Sequence, residues 1–190
     1  MIISNIPIIE IPPQTEIFRT QLIKARTGTI RKNGIKTSPP SMFGRYSVKD
    51  SACAYFADSK FTALLEAHFR RDVAVCNLSA LAAREISHFE TTQSVRLAYL
   101  CGLEEAYPFL QATRYAQTQI LAQRFWDAGL DGVQWASVQH PGHSCICLFQ
   151  RAFGAVKLQS AMPLVNKKRK ILLNGAIMAA RRAGVVIVPD

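Results

Sequence analysis

The chain has 190 residues, 49% of them hydrophobic and 19% charged, enough apolar material for one well-formed core. This excludes disordered, collagen-like and large multidomain readings. Its net charge is +10, with 8 basic against 3 acidic residues in 1–50, 7 against 9 in 51–150 and 8 against 1 in 151–190; such basic flanks attract nucleic acid, phosphorylated metabolites or acidic partners alike.

Met1 to Pro7 carries no basic leader and prolines follow it closely, so no signal peptide is expected. Residues 22–42, polar and basic with Gly28, Gly34, Pro39 and Pro40, read as a long loop leading to Phe43-Gly44-Arg45-Tyr46-Ser47. The apolar run from Ala52 to Ala57 reads as a buried strand. Asp58-Ser59 then offers an N-cap to a helix over Lys60 to Arg71, where Phe61, Leu64, Leu65, His68 and Phe69 share one face. Val73 to Leu78 and Ser94 to Leu100 read as strands joined by a polar connection. Gln111 to Ala128 has the clearest helical stripe and ends at Gly129. Val133 to Val138 and Ser144 to Phe149 follow as strands around Pro141-Gly142. Beyond residue 153 the chain turns basic, with Lys167 to Lys170 ahead of a helix over Ile171 to Arg182 and a strand over Val185 to Val188. The pattern is an α+β domain over 1–153 with a basic extension, 154–190, packing on it.

Five cysteines, an odd number in a chain of this size, argue against a disulfide scaffold and for a reducing cytoplasm. Asn174 and the pair Arg181-Arg182 interrupt the last apolar stretch, so no membrane span is expected. Phosphate-loop, dinucleotide-fingerprint and zincin motifs are missing. His140, His143, Cys145 and Cys147 lie close together, but their spacing is not that of a zinc knuckle, and no metal is expected. The Lys167 to Lys170 run has no interleaved aromatics for stacking on nucleic acid. Taken singly, Glu66 reads as a solvated glutamate, Arg45 as a surface arginine, Tyr55 as strand core and Ser137 as a hydroxyl bonded to backbone.

Together these residues say more. Gly44-Arg45-Tyr46-Ser47, Tyr55-Phe56-Ala57-Asp58-Ser59, Ala63-Leu64-Leu65-Glu66, Asp131 to Val138, Pro141-Gly142 and Cys147-Leu148-Phe149 resemble, in order and spacing, the RES-domain family, named for an arginine, a glutamate and a serine. The likeness runs from about Phe18-Arg19 to Phe149. It departs from the family's usual pattern at Phe43, at Tyr46, which stands in place of tryptophan, and at Val48-Lys49-Asp50, which lacks glycine and proline.

The resemblance implies an ADP-ribosyltransferase-like fold, a core of short strands enclosing an NAD cleft with flanking helices. It implies a toxin that cleaves the nicotinamide–ribose bond of NAD, its substrate, and passes ADP-ribose to water, phosphate or a protein, held in check by a cognate helix-turn-helix antitoxin. Glu66 would stabilise the oxocarbenium-like transition state. Arg45 would bind the pyrophosphate with Arg19 as a second phosphate contact, Tyr55 would position the nicotinamide, and Ser137 would contact the ribose or orient Glu66. The competing expectations are a non-enzymatic module that binds nucleic acid or protein through 151–190, and a ribonuclease using His68, His88, His140 or His143.

Overall fold

The structure, a computed structural model, describes residues 6–166, 168 and 171–189. In chain order the strands are β1 (Ile8–Ile11), β2 (Glu16–Leu22), β3 (Ile30–Lys32), β4 (Ile35–Thr37), β5 (Cys53–Ala57), β6 (Val75–Asn77), β7 (Arg84–Thr91), β8 (Val95–Tyr99), β9 (Gly132–Ala136), β10 (Ser144–Phe149), β11 (Val156–Pro163), β12 (Val165–Asn166), β13 (Ile171–Leu172) and β14 (Val186–Val188). The helices are α1 (Lys60–His68), α2 (Leu78–Ala82), α3 (Ala116–Asp127) and α4 (Asn174–Ala183). The α+β class follows from the sheet and its flanking helices.

One sheet of eight strands, in the order β1-β8-β9-β10-β5-β2-β7-β11, organises the molecule. It consists of two unequal halves. β10 pairs with β5 through five consecutive residues, Cys145↔Ala57 to Phe149↔Cys53, and β2 pairs with β7 through seven, Glu16↔Glu90 to Leu22↔Arg84. Between the halves, β2 and β5 meet in a single register pair, Phe18↔Ala57. Beyond it the two strands run unpaired, and backbone groups that would have closed the sheet find other partners. The hairpin β3–β4 supplies one, the Thr37 hydroxyl donating to the Cys53 carbonyl at 2.7 Å, and is tied to β2 by its own Lys36 N–H, which donates to the Gln21 side-chain Oε1 at 3.0 Å.

Apolar side chains form three clusters that hold this split sheet. α1 and α4 cover one region, where Ala176, Ala179 and Ala180 share a buried cluster with Leu64 and Leu65; small residues let two helices approach closely. Phe56, Phe89, Leu97 and Phe153 form the second, and Leu121, Phe125 and Phe149 anchor α3 in the third.

Several elements differ from the sequence expectation. The loop over 22–42 contains the β3–β4 hairpin, turned at Asn33-Gly34 with φ of 51° and 88°. The polar connection after residue 78 contains α2 and the eight-residue β7. The helix expected to reach Arg71 ends at His68, where Phe69 is buried as its cap. The stripe read from Gln111 breaks because Ala112 is extended, φ −61°, ψ 150°; a 3₁₀ turn, Pro108–Gln111, precedes α3. The expected Val73 to Leu78 strand shortens to β6, paired in parallel with β14. Of the basic run, Lys167, Arg169 and Lys170 lie outside the described residues. No helix among the described residues is long and apolar enough to cross a membrane.

Candidate functional site

A cleft of about 440 Å³ opens where β2 and β5 part. Arg19 reaches it from β2, Tyr55 from β5, Arg45 from the loop before β5, and Glu66 from α1. The fifth expected residue, Ser137, follows β9 directly and meets the cleft through Glu66, to which its hydroxyl donates at 2.5 Å. Five separate places in the sequence thus meet around one volume, Ser137 through Glu66. The four described histidines do not line it.

Glu66 is held firmly. α1 starts at Ser59, whose hydroxyl oxygen accepts the Thr62 N–H at 3.1 Å, a side-chain N-cap that fixes where the helix enters. Seven residues along, Glu66 lies at the edge of the buried stripe of Ala63, Leu64 and Leu65, half-exposed toward the cleft. The turn that carries Ser137 is fastened to this helix and to the residues flanking it by three further contacts. His140 Nδ1 meets the Thr62 hydroxyl at 2.8 Å, Gln139 Oε1 accepts the Arg71 N–H at 2.9 Å, and His143 Nδ1 meets Asp58 Oδ1 at 3.0 Å. The His140 N–H donates to the Ser137 oxygen at 3.0 Å, which leaves the serine's own proton directed at Glu66. Beneath them the Cys145 thiol is pushed up by burial and by the nearby Glu66 carboxylate, so it stays protonated.

Arg45 and Arg19 stand in contrasting environments. The Arg45 guanidinium donates through Nη1 to the carbonyls of Leu110 and Ala112, both at 2.8 Å, and lies over the Tyr115 ring at 4.8 Å. It therefore fastens the segment before α3 to the cleft wall while exposing its remaining donors. Arg19 is buried, lies 5.3 Å from the centre of the Phe56 ring and donates through Nη2 to the Lys36 carbonyl at 3.3 Å. Its Nε and Nη1 have no partner. Burial lowers its pKa to about 10, which leaves it charged at neutral pH with two donors unsatisfied.

Tyr55 is placed by close packing. Its hydroxyl accepts the Tyr46 N–H at 3.1 Å and lies so near Gly44 that a Cβ there would fall 2.1 Å from it. Glycine is required at this point by space, not by backbone angle. Burial pushes the Tyr55 phenol up, so it remains neutral. Tyr46, at the place of the family's tryptophan, is fully buried and packs against Trp135 at 4.7 Å, away from the cleft lining.

Reading the sequence missed Trp135, which meets the Tyr55 ring edge-on at 6.1 Å and lines the cleft. It also missed Gln139, Arg70 and Arg71, which line the mouth, and Phe43, 90% exposed on its rim. The Arg70-Arg71 pair was the available signal, since it lies four and five residues beyond Glu66. Among the described residues no group of three His, Cys, Asp or Glu is placed to hold a metal ion.

The RES domain family model matches residues 17–167 of the chain. No curated protein sequence matches it. Among solved structures, a chain in the crystal structure of the M. tuberculosis MbcT–MbcA toxin–antitoxin complex is similar, with a TM-score of 0.57 at 15% identity, covering 92% of this chain and 92% of that one.

Proposed function

The chain belongs to the RES domain family, and from that premise we propose that it is the NAD-consuming toxin of a toxin–antitoxin pair, with an ADP-ribosyltransferase-like cleft between β2 and β5. The observation that carries this reading is one cleft lined both by a carboxylate that a serine holds and by a buried arginine with two idle donors. The cleft's volume, about 440 Å³, falls in the range of small-molecule sites, roughly 300–1,000 Å³.

In the reaction the bond between the ribose C1′ and the nicotinamide nitrogen breaks, and its electron pair leaves with nicotinamide, which becomes neutral. Positive charge develops on the ribose as an oxocarbenium ion. Glu66 stabilises that charge where it arises, an interaction stronger in the transition state than in the ground state. Ser137 keeps the carboxylate in place. Tyr55, supported by Trp135, provides the neutral aromatic wall for the nicotinamide. Arg19 and the free donors of Arg45 take the pyrophosphate, for which a forked guanidinium is well matched. An acceptor oxygen from water, phosphate or a protein side chain then bonds to C1′ and loses its proton. A cognate antitoxin, of helix-turn-helix type, covers the cleft and stops turnover.

The test incubates the purified protein with NAD, with and without inorganic phosphate, and follows nicotinamide release. Glu66→Gln, nearly the same size and neutral, is expected to lower the rate by about 10²–10³-fold with an unchanged melting temperature. A phosphate requirement identifies the acceptor. An unaltered rate in Glu66→Gln would sink the assignment. The competing reading, a non-enzymatic basic module, predicts no turnover and salt-sensitive binding of polyanions.

A further inference from the structure

A second cavity, of about 330 Å³, abuts the cleft at Arg19 and Thr20, which line both. Its floor is β2 and its walls are the turn over 25–29 and the end of the β3–β4 hairpin. Arg19, Arg26, Lys36 and Arg84 all line it, and no acidic residue does. Lys36 is already neutralised, its ammonium donating to Glu85 at 2.9 Å and to the carbonyls of Leu22 and Ile23. Arg19, Arg26 and Arg84 have no carboxylate partner among the described residues.

Three guanidinium groups around one small volume repel each other. Arg26 lowers the pKa of Arg84, after burial, and Arg84 lowers that of Arg19. A folded chain that keeps such a cluster without a counter-charge holds it for something that arrives from outside. Neutral donors accompany the cations: the Thr20 hydroxyl is buried with no partner, and Thr27 and Thr29 line the same wall. A carboxylate would satisfy one arginine; a phosphate dianion offers the charge and the several acceptor oxygens that suit three.

We propose that this cavity is a binding site for a phosphate group, held by Arg26, Arg84 and one idle donor of Arg19, whose other idle donor serves the pyrophosphate in the adjoining cleft. The group comes either as inorganic phosphate or as the phosphomonoester of a nucleotide whose remainder occupies the adjoining cleft. The site does not depend on the chemistry assigned to Glu66.

Calorimetric titration in a Glu66→Ala background, which removes turnover, tests it with three probes: inorganic phosphate, NAD, and NADP, which adds a 2′-phosphate to NAD. Wild-type cavity residues are expected to bind phosphate saturably, and Arg26→Gln and Arg84→Gln each to weaken it about tenfold or more. If the same substitutions also erase a preference for NADP over NAD, the phosphate is the nucleotide's; if they alter inorganic phosphate alone, it is free phosphate. Because the arginines repel each other, Arg84→Gln should melt no lower than the parent without ligand, whereas a purely structural arginine would make it melt lower. Arg26, on a surface turn, carries the test even if Arg84 variants fold poorly. No saturable binding of phosphate or NADP, or unchanged affinities in folded Arg26→Gln and Arg84→Gln, would overturn the site. Absence of nicotinamide release from the wild type would count against the NAD reading and leave these titrations standing.

Discussion

The two walls of the cleft are built on opposite rules. On the wall made by α1 and the turn after β9, polar groups are bonded in series: Glu66 with Ser137, Ser137 with His140, His140 with Thr62, and Thr62 with Ser59. On the wall made by β2, donors are buried and idle: Arg19 Nε and Nη1 and the Thr20 hydroxyl. Satisfied groups are stiff, because moving one breaks a buried hydrogen bond. Unsatisfied donors cost stability in the free protein and regain it when an anion arrives. The group assigned to transition-state stabilisation is thus held in place in advance, whereas the idle donors of Arg19 await their ligand.

The largest effect is expected at Arg19. Arg19→Gln is expected to lower kcat/KM for NAD by one to two orders of magnitude, while the melting temperature of the free protein stays level or rises, since an unpaired buried charge is removed. A large fall in melting temperature would place Arg19 among the structural residues instead. Next in size is Gly44→Ala. Its new Cβ would lie 2.1 Å from the Tyr55 hydroxyl and 2.8 Å from Ser47 Oγ, which should cost about 1–3 kcal/mol in a denaturant melt and displace the aromatic wall.

On the opposite wall, Ser137→Ala should lower kcat about tenfold with KM nearly unchanged, and Ser137→Thr should restore much of it. A change confined to KM would show that the serine contacts substrate and does not position Glu66. The smallest effect is in pH. Burial, with Arg84 adding to it, lowers the His68 pKa to about 4 from its ordinary 6.5, so the unfolded chain takes up the proton first as pH falls. Stability then declines through the window from about 6.5 to 4, by under about 1 kcal/mol at pH 6. His68→Gln should flatten that part of the melting profile.

Residues that could be read from sequence are those whose local pattern agrees with their place in the fold. α1, α3, β5, β9 and β10 were legible because apolar residues recur with the right period and caps stand at the ends. β2, β7 and β11 were not. In β2 and β7 the buried face carries Arg19, Gln21, Glu85 and Ser87, polar residues that disguise a strand. Gln21, Glu85 and Ser87 are tolerated inside because they satisfy each other across the sheet, with Gln21 Nε2 donating to Glu85 Oε1 at 3.1 Å and the Ser87 hydroxyl reaching the same oxygen at 3.4 Å.

Motif order and periodicity, written along the chain, carry the α+β class, the family and five of the residues that meet at the cleft, Arg19, Arg45, Tyr55, Glu66 and, through Glu66, Ser137. Folding, by contrast, sets the work each arginine is free to do. Arg45, prominent in its motif, spends one nitrogen on the carbonyls of Leu110 and Ala112, 65 and 67 residues away. Arg19, inconspicuous between Phe18 and Thr20, keeps two donors free at the point where the sheet divides. Hydrogen-bond satisfaction is a property of partners brought together by folding, and a linear pattern does not contain it.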